Sequence, residues 1–192
     1  NGRGLDARSI HLAPVIRNNI IRNNRTGVIA ANSCAVQLIQ NLIINNGRGV
    51  TLSAFVLPST NNLPRTNAPL LLNNTIVSAL SSSRDGLSIN DFEDTGPTVL
   101  NNIVVGIPAL SVIATNQAVL DQVQSNDFFS LFGARLFLFG LRLSNNITSD
   151  PSFVCIDGDY HLRPFSPCID AGISSASNLP AVDFEGRPRI VT

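Results

Sequence analysis

Apolar and polar positions repeat together along the first two thirds of the chain, around a recurring asparagine. At five places an asparagine precedes a mostly apolar pair, and the residues three positions before it and two positions after it are always apolar. The asparagines, spaced by 22, 33, 28 and 24 residues, are Asn19, Asn41, Asn74, Asn102 and Asn126. The apolar columns are Ile16, Leu38, Leu71, Val99 and Val123 before them and Ile21, Ile43, Ile76, Val104 and Phe128 after them. This pattern predicts two short strands that meet at a tight corner, because asparagine tolerates the left-handed backbone conformation.

A glycine adds a further corner to the repeat. Gly27 and Gly49 stand eight residues after the first two asparagines, and each is followed by valine, which predicts a second corner and a third strand. Three strands and three corners make one coil of a parallel β-helix, in which each strand pairs with its equivalent in the next coil. We then expect a ladder of side-chain hydrogen bonds, at roughly the 4.8 Å strand spacing, along Asn19, Asn41, Asn74 and Asn102. Asparagine-rich loops between antiparallel strands are the alternative, but they leave the apolar columns unexplained.

Two longer stretches between repeats are expected to leave the coil as loops. Residues 51–69 contain three prolines, and residues 78–97 contain an acidic cluster. Both stretches occupy the same place in the repeat, so we expect them to emerge on one side, where insertions in repeat proteins often form a binding face. The acidic cluster fits either a solvated turn or a site for calcium or a sugar, and its residues are Asp91, Glu93 and Asp94.

Composition limits the class of protein. A chain of 192 residues with 44% hydrophobic content can bury one sizeable core, so one domain is expected. Thirteen arginines balance thirteen acidic residues, which removes the basic charge expected of a nucleic-acid-binding protein. No run reaches 18 apolar residues, so no membrane span is predicted. With two histidines and no Cys-x-x-Cys pair, neither a structural metal nor a cofactor is predicted.

The C-terminal third contains a different set of motifs. Asp-Pro-x-Phe at 150–153 precedes Gly-Asp-Tyr-His-Leu at 158–162, Ser-Pro-x-Ile-Asp-Ala-Gly at 166–172 and Asp-x-x-Gly-x-Pro-Arg at 183–189. In combination these motifs resemble the closing segment of bacterial right-handed parallel β-helix repeat proteins. Those proteins belong to the pectate-lyase-like superfamily, and their C-terminal segment is of the choice-of-anchor type.

The resemblance implies a fold and a location. The expected fold is all-β, a right-handed, single-stranded parallel β-helix of about five to seven coils over residues 1–129. Residues 130–192 would form an irregular closing segment of the same domain. The relatives are typically exported, so the resemblance implies an extracellular or cell-surface protein. Four aspartates of the closing motifs are expected to hold turns through bonds to the backbone, namely Asp157, Asp159, Asp170 and Asp183.

The cysteines lead to a prediction that depends on export. Cys155 and Cys168 are 13 residues apart, with a turn expected at Asp157 and Gly158 between them. Because an exported protein permits disulfides, we expect these two residues to be bonded, with a contribution of about 3 kcal/mol to stability. Cys34 is expected to be a small buried residue outside any disulfide, since no histidine or basic residue is near it in sequence to activate the thiol.

Two groups of apolar residues are expected to be buried against other protein surface. Two positions before three of the ladder asparagines, on a face that should meet solvent, stand Ile39, Leu72 and Leu100. A second stretch, at 131–143, contains Phe132, Phe137 and Phe139. This stretch is either a strand packed between the coils and the closing segment or a contact surface, since monomers rarely expose such a patch. We therefore expect a protein partner or self-association, through these residues or through the N-terminal edge of the sheets.

The outward positions of the repeat bear on function. Polysaccharide lyases and hydrolases need carboxylates, or carboxylate-bound calcium, facing outward from neighbouring coils. The outward positions on the strand before each ladder asparagine contain no acidic residue. The sequence therefore favours a structural or binding module, with no catalytic residue, that belongs to a larger assembly or a longer chain. The alternative is a carbohydrate-active enzyme or a glycan-binding protein, which an outward carboxylate cluster in a cleft would favour.

Overall fold

Three parallel β-sheets form the body of the protein. The computed structural model describes residues 2–8, 13–31, 34–54, 68–79, 84–92, 95–134 and 136–190. Within these ranges the chain runs from the first sheet to the second and third and back again, and each strand pairs with its equivalent in the next coil. This is the parallel β-helix that the apolar columns predict.

The strands are short and fall into three sheets of five. Sheet 1 contains β1 (Arg3–Ala7), β4 (Thr26–Ala30), β7 (Arg48–Ser53), β10 (Leu87–Phe92) and β13 (Leu110–Ala114). Sheet 2 contains β2 (Val15–Arg17), β5 (Gln37–Ile39), β8 (Leu70–Leu72), β11 (Thr98–Leu100) and β14 (Val123–Gln124). Sheet 3 contains β3 (Ile20–Arg22), β6 (Leu42–Asn46), β9 (Thr75–Ser78), β12 (Ile103–Gly106) and β15 (Asp127–Ser130). Five rungs enclose four full turns, slightly fewer than the five to seven coils predicted.

The core fills the space between the three sheets. Both apolar columns that the sequence places beside the asparagines face inward, and their members in the inner coils are 0% exposed, among them Leu38, Leu71, Ile43 and Ile76. Fully burying a side chain of this size contributes about 1.5–3 kcal/mol. The spacing of these residues therefore sets the register of sheets 2 and 3.

The corner between sheets 2 and 3 differs from the prediction in one respect. The left-handed conformation falls on the residue before each ladder asparagine and not on the asparagine itself. These preceding residues, with φ between 53° and 57°, are Asn18, Gln40, Asn73, Asn101, Ser125 and Asn145. The ladder asparagine can therefore turn its side chain inward, while its predecessor makes the turn.

At the next corner, the glycines allow the rungs to pack closely and do not make the turn. Gly27 and Gly49 lie within β4 and β7, and the left-handed residues of that corner are Asn23 and Asn45. A Cβ on Gly27 would lie 2.6 Å from the carbonyl oxygen of Gly49. The glycines are needed because successive rungs approach each other closely here.

The closing segment folds back over the outside of the coils. Strands β16 (Phe153–Cys155) and β17 (Asp159–Leu162) form an antiparallel pair. Phe153 packs with the outward residues Ile44, Val77 and Val105 in a second apolar cluster on sheet 3. In the described part of the chain the only helical segments are 3₁₀ turns at Gln117–Leu120 and Leu131–Gly133, and none has the length and apolar character of a membrane span.

Candidate functional site

An asparagine ladder runs along the inner side of the corner between sheets 2 and 3. Asn41 Nδ2 donates to Asn74 Oδ1 at 3.0 Å, and the same bond joins Asn74 to Asn102 at 2.9 Å. Each asparagine also donates its backbone N–H to the same oxygen of the next rung. The complete ladder is Asn19, Asn41, Asn74, Asn102, Asn126 and Asn146. Asn146 was not predicted as a rung, although it precedes Ile147 in the same way.

Each inner asparagine joins three rungs. Asn74 Nδ2 donates to the carbonyl of Leu38 in the preceding coil at 2.8 Å as well as to Asn102 in the following coil. Its exposure is only 1%, so every one of these bonds replaces water that the amide has lost. The inner rungs of the ladder, from Asn41 to Asn126, thus form a buried polar seam whose side-chain oxygens and nitrogens are satisfied by the chain itself.

A second polar column lies on the outer side of the same corner. It consists of the left-handed residues that precede the ladder asparagines, and the closing segment crosses three of them. Arg189 Nη2 donates to Gln40 Oε1 at 2.6 Å. With its carboxamide oxygen facing Arg189, Asn73 accepts from Nε at 3.1 Å. Asn101 binds the backbone of Ile173 twice, accepting from its N–H at 2.8 Å and donating to its carbonyl at 3.1 Å.

A pocket of about 370 Å³ opens where the closing segment leaves this outer column. The polar side chains around it are those of Asn73, Asn101, Asn102, Ser125, Asn126, Asp127, Asn145, Cys168, Asp170, Ser174 and Arg189. Aliphatic side chains line the rest, including Ile103, Ile147 and Leu162. Its volume is within the range of small-molecule sites, and its lining is more polar than is usual for them.

Asp127 and Cys168 form a polar contact in the wall of the pocket. Asp127 is 3% exposed, and the Cys168 thiol donates to its Oδ2 at 3.1 Å. Its other oxygen, Oδ1, is buried and has no hydrogen-bond partner among the described residues. Burial raises the pKa of Asp127 to about 6. Burial, followed by the contact with Asp127, raises the pKa of Cys168 to about 12, so the sulfur remains a thiol.

The acidic cluster predicted as a binding site lies elsewhere and is only partly described. Asp91 is exposed on β10 of sheet 1, with a left-handed φ of 62°. Ser53 Oγ donates to Asp91 Oδ2 at 3.0 Å. Glu93 and Asp94 lie outside the described residues. The described part of this cluster therefore shows one carboxylate held by a neighbouring hydroxyl.

The predicted disulfide between Cys155 and Cys168 is wrong. All three cysteines are described, and each is present as a thiol. The turn at Asp157 folds β16 onto β17, which places Cys155 opposite Asp159 on an exposed hairpin. Cys168 lies further along the chain, at the pocket, with its sulfur directed at Asp127.

The apolar outward column does not need a second chain for cover. Leu72 is 0% exposed and Ile39 is 5% exposed within this single chain, while Leu100 is half-buried. The contacts of Gln40, Asn73 and Asn101 with the closing segment lie directly beside them. This face was predicted to meet solvent because the position of the closing segment on the coils could not be predicted.

The phenylalanine-rich stretch has one buried side and one exposed side. Leu136 and Leu138 pack against the core, and Phe137 bridges Ser111 as an additional rung of sheet 1. The outward side of the stretch is formed by Phe132, Phe137 and Phe139, which are 83%, 54% and 70% exposed. The buried side agrees with the interpretation as a segment packed on the coils, whereas the contact surface remains a prediction.

The closing motifs form turns and side-chain contacts that join these turns. Asp183 Oδ1 accepts the backbone N–H groups of Glu185 and Arg187 at 2.9 Å each. Asp159 Oδ1 likewise accepts the N–H of His161 at 3.1 Å, and the side-chain hydrogen bond from the His161 ring lowers the pKa of Asp159. The other ring nitrogen of His161 lies 2.9 Å from Glu185 Oε1. These exposed contacts tie the hairpin to the last turn of the closing segment.

Comparison with known proteins identifies the coils. The family model described as a right-handed β-helix region matches residues 1–128. The match ends inside β15, so the closing segment and most of the pocket wall that it provides lie beyond it. No curated protein and no solved structure is similar enough to count as a match.

Proposed function

Because the chain belongs to the right-handed β-helix family, we propose that it is an exported or cell-surface module that binds a saccharide in the corner pocket without catalysing a reaction. The family membership supports a rigid scaffold and does not by itself supply an activity. Export rests on the resemblance of the closing motifs to those of exported relatives, since the disulfide that would have supported it is absent.

The main support for ligand binding is that the closing segment engages only part of the outer polar column. Gln40, Asn73 and Asn101 hydrogen-bond to the closing segment. Ser125 and Asn145 continue the column into the pocket, and in the described part of the chain their side chains form no hydrogen bond. Polar groups held on a rigid corner and left without protein partners are ready to bind a ligand.

The chemistry of the lining suits a neutral, hydroxyl-rich ligand. A hydroxyl at Ser125, a carboxamide at Asn145 and a carboxylate at Asp170 offer both donors and acceptors. Aliphatic walls at Ile147 and Leu162 can pack against the C–H surfaces of a sugar ring. Arg189 is already engaged by Gln40 and Asn73, so the pocket offers little free positive charge to an anion.

Binding is favoured over catalysis because the pocket lacks two usable carboxylates. Glycoside hydrolysis ordinarily requires a pair of them on either side of the scissile bond. Asp127 is one candidate, but its Oδ2 is occupied by Cys168 and its Oδ1 is buried. Among the described lining residues this leaves Asp170 as the exposed carboxylate.

The test is a screen of the purified protein against neutral oligosaccharides, followed by calorimetry on the best ligand. Ser125→Gly and Asn145→Gly delete the polar groups while keeping a residue that accepts the left-handed backbone. Each is expected to weaken binding about tenfold, which corresponds to about 1.4 kcal/mol. Asn18→Gly, at the equivalent position of the first coil, is the matched control and should not change affinity. Conversion of the bound saccharide to a product would contradict the non-catalytic role.

A protein partner is a second part of the proposal, and the exposed phenylalanines favour it. Phe132, Phe137 and Phe139 lie on one short stretch with their rings in solvent, and apolar surface of this kind is commonly an interaction site. The proposal predicts that replacing all three with polar residues abolishes recovery of a partner from the native source. Unchanged recovery would remove these residues from the contact.

A further inference from the structure

Residues 136–147 form a last, irregular coil beyond the five rungs of the sheets. Phe137 pairs with Ser111 of sheet 1. The backbone N–H and C=O of Arg142 are both bonded to the side chain of Gln117, at 2.8 Å each. The chain then continues into the closing segment, which returns along the outside of the coils. The last coil therefore lies within the sequence, and described residues follow it.

The sheet 1 strand of this coil has an unpaired edge. Phe137 donates its N–H to the Leu110 carbonyl at 3.0 Å and accepts the Val112 N–H at 2.7 Å, so both of its backbone groups face the coils. In an extended strand the backbone groups of adjacent residues face the opposite way. Here these are the N–H and C=O of Leu136 and the N–H of Leu138, and no described residue bonds to them. Such an edge is a template for a further strand.

Apolar side chains lie on both faces of this edge. On the inner face, leucines pack on the core but are only partly buried, because no described residue adds a further rung over them. These leucines are Leu136, Leu138, Leu141 and Leu143. On the outer face, Phe137 and Phe139 are exposed. A strand added at the edge would cover both sets, since its side chains alternate between the two faces.

The fold does not need phenylalanine at the exposed positions. Phe132 and Phe139 have left-handed φ values of 55° and 48°, which asparagine or glycine adopts more readily than an aromatic residue. Both rings lie largely in solvent, so they contribute little to the core. An unfavourable backbone conformation that presents an exposed ring indicates a role outside the fold.

The charge of the last coil indicates the chemistry of the partner. Residues 128–149 contain two arginines and no acidic residue. The Arg142 side chain is exposed and forms no ion pair within the part of the chain that the structure describes. A partner segment with aspartate or glutamate would pair with this arginine. A second copy of this chain would instead bring like charges together.

We propose that a partner protein docks here by adding an extended, acidic segment to sheet 1 beyond Phe137. This inference rests on the protein partner proposed above and specifies the segment that it contributes. The segment bonds through its backbone to Leu136 and Leu138, and its side chains cover the leucines on one face and the phenylalanines on the other. A lipid surface fits less well, because it would leave the three backbone groups of the edge without hydrogen bonds.

The experiment titrates the isotope-labelled protein with a short synthetic peptide in which leucine alternates with threonine and which ends in two glutamates. Hydrogen exchange of the protein amides is the readout, since it reports hydrogen bonding and local opening. The amides of Leu136 and Leu138 are expected to exchange about tenfold more slowly in the complex. The Phe137 amide should change little, because it is already bonded to Leu110. Equal protection of all three amides, or protection of none, would overturn the proposal.

Matched peptides and variants identify the groups that bind. N-methylation of one alternate set of peptide amides should abolish the protection, whereas methylation of the other set should not, because only one set faces the edge. If both methylated peptides protected Leu138 as well as the parent does, strand addition would be wrong. Arg142→Glu should weaken binding of the acidic peptide and favour one that ends in two lysines. Arg17→Glu, in the first coil, is the control and should change neither affinity.

Two comparisons separate this inference from the proposed partner contact. Replacing the three exposed phenylalanines with polar residues tests the contact itself. If that change abolishes recovery of the partner, but the purified partner does not slow exchange at Leu138, the contact is correct and strand addition is wrong. If recovery is unchanged and Leu138 is still protected, the phenylalanines are not part of the contact and strand addition stands.

Two further measurements test the other occupants of this edge. The protein is mixed with phosphatidylglycerol vesicles, and its sedimentation is measured without peptide. Binding to the vesicles through the exposed phenylalanines, with exchange at Leu138 unchanged, would assign the last coil to a lipid surface. A dimer in which Leu138 is protected would assign it to a second copy. Either result would overturn docking of a partner segment, whereas a monomer that leaves the vesicles unbound supports it.

Discussion

The Cys168 thiol donates to Asp127 Oδ2 across 3.1 Å and so joins the closing segment to the last coil of the β-helix. The contact satisfies one oxygen of a carboxyl that is 3% exposed and leaves the other without a partner in the described chain. A buried carboxyl in this state favours its neutral form. The stability of the closing segment therefore depends on pH.

We predict that the free energy of unfolding falls as pH rises from about 4 to about 6. Within that window the folded protein holds a proton on Asp127 that the unfolded chain has lost, because the pKa is raised from 3.8 to about 6. The full effect is about 3 kcal/mol. Urea unfolding of the native protein and of Asp127→Asn at several pH values measures it, and the variant should lose this decline.

Asp170→Asn is the control for that experiment, since Asp170 lines the same pocket but is exposed. It should leave the decline unchanged. Burial also raises the pKa of Asp85, which adds a smaller effect of the same sign to all three proteins. An Asp127→Asn protein with the same pH dependence as the native one would contradict the assignment.

The ladder predicts an unequal cost for the same substitution at two rungs. Asn74→Ala removes an amide that is 1% exposed, takes the acceptor from the Asn41 backbone N–H, and removes one donor each from Asn102 Oδ1 and the Leu38 carbonyl, so a loss of about 3 kcal/mol or more is expected. Asn19→Ala removes the exposed end of the ladder and should cost about 1 kcal/mol. Chemical denaturation compares them, and equal costs would disagree with a buried seam.

Close packing of rungs predicts a large effect of a single methyl group. Gly27→Ala would place a Cβ 2.6 Å from the Gly49 carbonyl oxygen, so the backbone must move, and a loss of about 2 kcal/mol or more is expected. Gly158 has no atom within 4 Å of such a Cβ, and Gly158→Ala should change stability by less than about 0.5 kcal/mol. Thermal unfolding distinguishes the two variants.

The exposed phenylalanines predict substitutions that do not destabilise the fold. Phe132 and Phe139 have left-handed φ values of 55° and 48°, a conformation that asparagine accepts more readily. Phe132→Asn and Phe139→Asn should therefore be neutral or slightly stabilising. Leu138→Asn, directed at the core, should destabilise by several kcal/mol. A large loss on changing either phenylalanine would show that its ring is packed in solution.

The thiols predict a pattern of chemical reactivity. Cys155 is exposed, whereas Cys34 is buried and burial raises the pKa of Cys168 to about 12. A thiol reagent should label one cysteine rapidly in the native protein and all three after denaturation. Cys155→Ser should abolish the rapid phase. Absence of a rapid phase in the native protein, with two cysteines unreactive after denaturation, would restore the disulfide.

The coils could be predicted from sequence because their physical cause is local and repeated. An apolar residue on each side of every ladder asparagine is enough to define sheets 2 and 3 and their register. The position of the closing segment could not be predicted in this way. Its contacts join residues that are far apart in sequence, such as Arg189 with Gln40 and Asn101 with Ile173. The side chains that make these contacts do not recur at a regular spacing.

The pocket was missed for the same reason, although one signal was present. A polar residue stands directly before each ladder asparagine, as in Gln40, Asn73, Asn101 and Ser125. The prediction assigned the left-handed turn to the asparagine itself, and so gave this column no role. Asp127 was overlooked because its burial depends on the closing segment, whereas the acidic cluster at Asp91 was conspicuous in the sequence.

The most direct test of saccharide binding in the corner pocket is a titration of the isotope-labelled protein with a neutral oligosaccharide. Side-chain and backbone amide resonances in solution are the readout. We predict shifts at Ser125, Asn145 and Ile173 around the pocket, with none at Asn18 on the equivalent corner of the first coil. Binding at the corner would be contradicted by shifts confined to the outward face of sheet 1, around Asp91. It would also be contradicted if no neutral oligosaccharide caused a shift at the pocket.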